Sequence, residues 1–518
     1  MAAVEREHSV GPKGAFLGFA ALAAALLGVA GRLLAYPLNR DENMFVSVAS
    51  QIGSGDLYRD LGYNHLPNLA YLLAGVFAIT DTQHYLLVGR LVMVAGWIGA
   101  IAALWLIVRR LRLGLEVFFA ASALILGNVL LLGPSGMLVS NNFLPIPFIF
   151  FAFYFLLGAL AKDKPGSGEA FLAGLIVSLT IGLKANYIVL APLFALAALL
   201  APAHRPLRER IIRAFVPLAI GGVVGGLPSL LHLTLDPQGF LSHTLRYFTE
   251  LQPAFWQDST EPKTVSMTAK VLLAEQIWLR DMVLLAIASS AILGIVALLD
   301  KGVRSLVDWR VILLCGLVLF GFVVAFVPTP SFPQYFAPPV PFIVLLVIVL
   351  ASIVRDTRSA VLMPLMVTIA ALGLLAGATR IVPGLMEFRK PDTWQAFALK
   401  REVSKAGDIV GLPQGARVAT LTPVYALEGG YSVYPEFVAG QFMYRVSQYI
   451  SEADRPLYRT TSPFELEAFL DADPPAGILV NRGEPMERAL ADYAKRRGYS
   501  VQRNSEVGEG FDLYVAPQ

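Results

Sequence analysis

Along the first three quarters of the chain, apolar residues run in nearly charge-free blocks of about 15–24 residues. They do not alternate as in a half-buried strand, and they do not form the narrow stripe of a surface helix. A helix of that length crosses about 30 Å of hydrocarbon, whereas the strands of a membrane barrel alternate weakly over about ten residues. The blocks read as spans are 16–35, 85–108, 115–132, 142–161, 170–183, 187–201, 211–231, 282–299, 311–327, 335–354 and 361–378. The first is long for the core of a signal peptide and has no clear small-residue cleavage site, so a retained first helix is expected. Another apolar stretch, 66–79, is short, carries Pro67 at its start and is flanked by Asp, His and Asn.

The positions of Lys and Arg decide how these blocks are threaded, because basic loops stay on the cytoplasmic side. The clusters are Arg109, Arg110 and Arg112; Lys162 and Lys164; Arg205, Arg208, Arg210 and Arg213; Lys301, Arg304 and Arg310; Arg355 and Arg358. All five fall on one face, together with the N-terminus, if 66–79 lies in the membrane interface instead of crossing. The expectation is therefore a polytopic α-helical membrane protein of about eleven spans with a cytoplasmic N-terminus. Blocks 170–183 and 187–201 form a hairpin with Lys184-Ala185-Asn186 at its outer tip. A single broken helix there would put Arg205–Arg213 on the wrong side.

Composition adds exclusions. Of 518 residues, 56% are hydrophobic and 15% charged, against roughly 25% charged in a soluble domain. A net charge of +3, with no basic stripe interleaved with aromatics, does not fit nucleic-acid binding. Cys315 stands alone, which excludes an internal disulfide and a cysteine metal cluster. Zinc-protease, P-loop and serine-hydrolase motifs are absent.

With this threading, polar residues collect near the outer face in four places. They are the first loop (36–84, with Asp41, Glu42, Tyr58, Arg59 and His65), the 133–142 connection ending in Asn141 and Asn142, Lys184 with Asn186, and the 328–335 turn containing Gln334 and Tyr335. Adjacent acids at the end of an apolar helix are costly unless solvated, paired or functional. Asp41 and Glu42 therefore read either as a solvated loop with Arg40 as local partner or as the seat of a general base. Lys184 reads either as a phosphate partner or as a lysine snorkelling to the interface, and His65 either as a phosphate contact or as a turn cap.

The run RDENMFVSVASQIGSGDLYRDLGYNHLPNLAYLLAGVF, beginning at Arg40, resembles the first extracytoplasmic loop of the GT-C glycosyltransferases, in particular bacterial family 39-like and ArnT-like enzymes. GLKANYIVLAP, GGLPSLL and PTPSFPQYFAPPVPF follow in the family's order, and the likeness covers about 380 residues. It implies a transferase taking sugar from a polyprenyl-phosphate donor in the membrane and passing it, with inversion, to an extracytoplasmic cell-envelope glycan or lipid. The membrane would be the bacterial inner (cytoplasmic) one, with the C-terminal part periplasmic. By the same likeness Asp41 matches the general base and Glu42 assists it. Lys184, with His65 or Arg59, stabilises the leaving phosphate, and Tyr58, Asn141, Asn142, Gln334 and Tyr335 line the substrates. Many relatives carry a second acid where this chain has Asn141 and Asn142. An amide cannot replace a carboxylate as a strong metal ligand, which argues against a metal-dependent mechanism without closing it; the polyprenyl-phosphate sugar is expected as the donor substrate. The usual basic-Pro-Pro element is here His65-Leu66-Pro67-Asn68.

From about residue 381 charges return and apolar runs shrink to strand length. ARVATL, AGILVN and FDLYVA read as strands, and DTWQAFALKREVSKAGDIV, SPFELEAFL and EPMERALADYAKRRG as amphipathic helices. The expected division is a membrane domain, 1–380, and a small extracytoplasmic α/β domain, 381–518. The Tyr-rich stretch TPVYALEGGYSVYPEFVAGQFMYR, with Tyr425 and Glu428, is read either as lining the acceptor path or as docking on the membrane domain. A lipid-linked sugar flippase is the alternative function. It calls for midplane charges and an internal repeat, and neither is seen. A scaffold whose outer domain binds a ligand leaves so many spans unexplained.

Overall fold

The computed structural model describes residues 11–161, 166–201, 205–355, 359–506 and 510–517. Every block read as a span contains an apolar helix. Among the described residues, six helices are long and apolar enough to cross a membrane, including Pro12–Ala35, Tyr85–Arg110, Asp281–Lys301 and Leu207–Leu235. Shorter apolar helices include Leu115–Leu126, Pro145–Ala159, Ser167–Leu183 and Trp309–Ala325. Helix packing here needs small residues, since lipid gives no hydrophobic drive between helices. At Gly174 a β-carbon would meet the Leu218 carbonyl oxygen at 1.9 Å, so only glycine lets Ser167–Leu183 lie so close to Val216–Leu235.

Side-chain contacts gather the basic clusters at one end of the bundle. Arg355 donates to the Arg112 carbonyl at 2.7 Å, Arg110 pairs with Glu169, and Arg205 donates to the Ala161 carbonyl. The start of the first helix lies there too, with Phe19 against Trp105, Phe118 and Phe119. Lys184 sits at the opposite end, donating to Asn142. Ser167–Leu183 and Leu190–Leu200 are therefore the expected hairpin, with Lys184 at its tip. Lys162, Lys164, Arg358 and the first ten residues lie outside the described residues.

Four predicted spans, 115–132, 142–161, 187–201 and 335–354, are shorter as α-helices than as apolar blocks. The helix expected over 115–132 stops at Leu126, and Gly127 after it runs so close to Gly373 that a β-carbon would meet its carbonyl oxygen at 2.2 Å. The helix expected from residue 142 begins at Pro145. The chain between them, 127–144, is irregular but largely buried. The 66–79 stretch is a helix, Asn68–Thr80, about 20 Å long and too short for the hydrocarbon core. It buries Leu69, Ala70, Leu73 and Phe77 and leaves Ile79 exposed.

The last long helix continues through Pro383 to Glu387. After it comes a five-stranded mixed sheet in the order β2-β1-β3-β5-β4, with β1 Arg417–Ala419, β2 Ser432–Val433, β3 Gly477–Asn481, β4 Ser500–Asn504 and β5 Phe511–Val515. β1 pairs in parallel with β2 and β3, and β5 runs antiparallel between β3 and β4. The three predicted strands are the inner ones. Edges β2 and β4 were not predicted, because they bury little and lack an apolar run.

Candidate active site

The helix Arg40–Ser50 opens with a capping box. Asn39 caps it by accepting from the Asp41 amide at 3.2 Å, while the Glu42 carboxylate reaches back to the Asn39 amide. Successive side chains on a helix point about 100° apart, so the two acids part company. Glu42 turns into the bundle and is fully buried in a bidentate pair with Arg90, at 2.9 and 3.0 Å. It also accepts from the Val139 amide at 3.1 Å, and Arg90 donates onward to the carbonyls of Leu33 and Leu34. Asp41 turns the other way. Among the described residues, nothing donates a hydrogen bond to its carboxylate and no cation pairs with it.

Three cations nevertheless act on Asp41 through space; one of them, Arg40, is already paired with Glu261 and Glu484, and the other two are Lys184 and Arg445. Burial raises its pKa above the ordinary carboxylate value, and the fields of Lys184 and Arg445 pull the other way. Lys184, in extended backbone between the two hairpin helices, is buried, donates to the Asn142 amide oxygen and lies 5.6 Å over the Tyr335 ring. Burial lowers its pKa to about 8, with Asp41 opposing the shift. Arg445 is also buried. Its Nη2 donates to the Tyr247 hydroxyl at 3.1 Å, and the guanidinium lies among Phe442, Phe255 and Trp256. Neither cation has an ion-pair partner among the described residues. An unpaired buried charge costs several kcal/mol. The site therefore holds two such cations against one carboxylate, an arrangement that an added anion would relieve.

His65 borders the same group. Its ring packs on Phe45, Tyr63 and Phe248, and Nδ1 lies 2.7 Å from the Asn64 amide oxygen. Burial, and secondarily Lys184, pushes its pKa down to about 3, so the imidazole is neutral and supplies hydrogen bonding without charge. Asn141 is buried beside Asn142, and Gln334 shares a single 3₁₀ turn with Tyr335.

Other residues singled out from the sequence lie elsewhere. Arg59 forms a short ion pair with Asp236, at 2.5 and 2.6 Å, and shows no interaction with Asp41 or Lys184. Tyr58 is buried behind His65, donating to its carbonyl at 3.3 Å and packed on His232 and Phe240. Tyr425 packs on Phe511 in the sheet region. Glu428 accepts from the Leu86 amide at 2.7 Å, at the start of the Tyr85–Arg110 helix. The Tyr-rich stretch thus docks on the bundle. Asn43 accepts from the Val424 amide at 3.2 Å, and Ser47 donates to the Val438 carbonyl.

Sequence reasoning missed Arg445 and Tyr247. Arg445 ends the quoted Tyr-rich stretch, and an arginine among Phe, Met, Tyr and Val is its one distinguishing sign. Tyr247 lies in three consecutive helical pieces, Pro237–Leu241, Ser242–Leu251 and Gln252–Asp258, which follow the seventh block and were not assigned. The donor set does not fit a divalent cation: no group of three His, Cys, Asp or Glu converges among the described residues, and the unpaired Asp41 lies in the field of two unpaired cations. A cavity of about 520 Å³ opens at Asn39, lined by Arg32, Tyr36, Pro134 and Glu387 but not by Asp41, Lys184 or Arg445.

No protein-family model matches the sequence, and no curated protein matches it. Among solved structures, the crystal structure of ArnT from Cupriavidus metallidurans bound to undecaprenyl phosphate superposes with a TM-score of 0.60 at 12% identity, covering 97% of this chain and 99% of that one. Its apo state gives 0.59 with the same coverage. An oligosaccharyltransferase from Archaeoglobus fulgidus, in the apo form, gives 0.47 over 94% of this chain and 73% of its own. The fold is the ArnT-like GT-C fold.

Proposed function

We propose that this GT-C-fold chain is a membrane glycosyltransferase that moves a sugar from a polyprenyl-phosphate donor to an acceptor hydroxyl. One observation carries the reading: the unpartnered Asp41 carboxylate lies in the field of two buried cations, Lys184 and Arg445, that have no counter-ion of their own among the described residues. The likeness to ArnT, whose crystal structure holds undecaprenyl phosphate, supports the same class of donor.

In the proposed reaction the acceptor O–H gives its proton to an Asp41 oxygen while the acceptor oxygen attacks the anomeric carbon from the face opposite the phosphate. The new C–O bond forms as the sugar–phosphate C–O bond breaks, and the bonding pair leaves on the phosphate oxygen. The products are an inverted glycoside, polyprenyl phosphate and protonated Asp41. Lys184 stabilises charge as it builds on the phosphate, where a dry site makes a fixed cation worth most. His65 donates or accepts a hydrogen bond in its neutral form. Glu42 is a positioning residue: tied to Arg90, it fixes the turn that aims Asp41. Asn142 orients Lys184, while Asn141, Gln334 and Tyr335 border the space in front of it. Arg59, committed to Asp236, has no part in the step.

The proposal includes sidedness and division of labour. The end of the bundle rich in Lys and Arg faces the cytoplasm, so Asp41 and the sheet region are extracytoplasmic, in the bacterial inner membrane. Residues 1–380 carry the base and Lys184, and 381–518 cover them. The acceptor is a cell-envelope glycan or lipid, and the sugar a hexose or pentose.

The test supplies purified protein with a panel of labelled polyprenyl-phosphate sugars and a cell-envelope acceptor fraction. Label transfer with stoichiometric release of polyprenyl phosphate is expected for one donor. Movement of an intact donor across proteoliposomes, with no bond cleaved, would overturn the reading in favour of a flippase.

A further inference from the structure

We infer that Arg445, carried by the C-terminal sheet region, is a second phosphate-holding group, so that docking of that region completes the donor site. The inference rests on the proposed donor class and goes beyond it by naming a group outside the membrane bundle.

Arg445 follows the single helical turn Gln441–Tyr444. The stretch around it is pinned to the bundle by Ser47 at Val438 and by the Tyr247 hydroxyl, which donates to the Phe442 carbonyl at 3.3 Å. The guanidinium carbon lies 4.7 Å from the Phe442 ring centre, 5.1 Å from Phe255 and 5.7 Å from Trp256. Aromatic rings take the faces of a guanidinium and leave its in-plane N–H groups for acceptors. Of five such donors, one reaches the Tyr247 hydroxyl, while the buried Nε–H has no partner. A guanidinium stays charged at any pH the protein meets, and this one, 8% exposed, has no carboxylate within ion-pair distance among the described residues.

A structural staple would need no such orphaned donor. Ring contacts join the two cations: Trp256, beside Arg445, lies 5.7 Å from Phe332, which lies 5.9 Å from Tyr335, the ring under Lys184, and the fields of both reach Asp41. The two cations thus act on one carboxylate from different parts of the chain, one fixed in the bundle and one brought by the covering region. A phosphate between them would receive the point charge of Lys184 and the planar fork of Arg445, a pairing suited to a group with several oxygens.

The test measures binding of undecaprenyl phosphate and of undecaprenol, the neutral alcohol, to purified full-length protein. The parent is expected to prefer the phosphate. Arg445→Gln should reduce that preference about tenfold or more while binding the alcohol as the parent does, a result that a merely structural role would not give. Arg445→Lys keeps charge and stem but loses the fork. It should reduce the preference about three- to tenfold, and it decides the matter if the Gln variant fails to fold. An undiminished preference in either folded variant overturns the role of Arg445 and leaves the glycosyltransferase reading standing. A parent that does not distinguish phosphate from alcohol overturns both.

Discussion

Burial shifts both Asp41 and Lys184, and each partly offsets the shift of the other. Burial holds Asp41 above the usual carboxylate range, so a rate that needs its ionised form rises with pH through a value higher than that of a solvated aspartate. Lys184 lowers that value, and Lys184→Gln should therefore move the acid limb of kcat/KM to higher pH. The alkaline limb belongs to Lys184, which gives up its proton near pH 8 in the free protein. Lys184→Arg should carry that limb upward by two pH units or more, since a guanidinium ionises above about 12. A pH–rate profile of the two variants checks both signs. An acid limb that stays put in Lys184→Gln would show that the two groups are not coupled. At this scale the sequence was partly legible. Asp41 and Lys184 stand out as ionisable groups at the ends of apolar helices, whereas Glu42, equally prominent, needed Arg90 on another helix to reveal its part.

At the scale of elements, the Arg40–Ser50 helix converts a fold contact into aim. Its first turn is clamped between the Asn39 cap and the buried Glu42–Arg90 pair. Removing one partner of a buried ion pair costs about 3–5 kcal/mol, because the other charge is left dry and alone. Glu42→Ala should accordingly lower the melting temperature markedly. Replacing both partners by apolar residues of similar volume, Glu42→Leu with Arg90→Met, should recover much of the loss. A Glu42→Ala protein that melts with the parent would show the pair to be dispensable. Block length and charge placed every apolar helix and the hairpin tip, because crossing a bilayer constrains both. They did not reveal where 115–132 stops being helical, nor that Gly127 just beyond that end packs on Gly373, 246 positions later. The pieces between 237 and 258 escaped for the opposite reason: they are neither apolar enough for a span nor regular enough for one amphipathic pattern.

At the scale of the whole molecule, one of the groups that fasten the C-terminal region to the bundle, Glu428, changes charge with pH. Glu428, buried against the start of Tyr85–Arg110, has its pKa raised by burial from 4.5 to about 7. The folded state therefore holds its proton more tightly than the unfolded chain does. Its stabilising contribution, at most about 3 kcal/mol, is complete below the ordinary glutamate value, fades as pH climbs toward 7 and is absent above it. The melting temperature of the parent should fall by a few degrees between pH 5 and 8. In Glu428→Gln, which cannot ionise, this part of the fall should vanish; equal pH slopes would contradict the assignment. The inner strands were legible as apolar runs, and the edge strands, with little to bury, were not. That the Tyr-rich stretch docks and delivers Arg445 could not be read from one dimension, because the partners Asn43, Ser47 and Tyr247 are roughly 200–400 residues away along the chain.

The most direct test of Asp41 as the base compares the parent with Asp41→Asn in turnover of a labelled polyprenyl-phosphate sugar, measuring polyprenyl-phosphate binding on the same samples. The amide keeps the shape but cannot take the acceptor's proton, so turnover should fall about 10²–10⁴-fold while lipid-phosphate binding is kept or tightened by loss of a negative charge beside it. Turnover within a few-fold of the parent, with binding intact, would contradict the assignment and leave the reaction without its base.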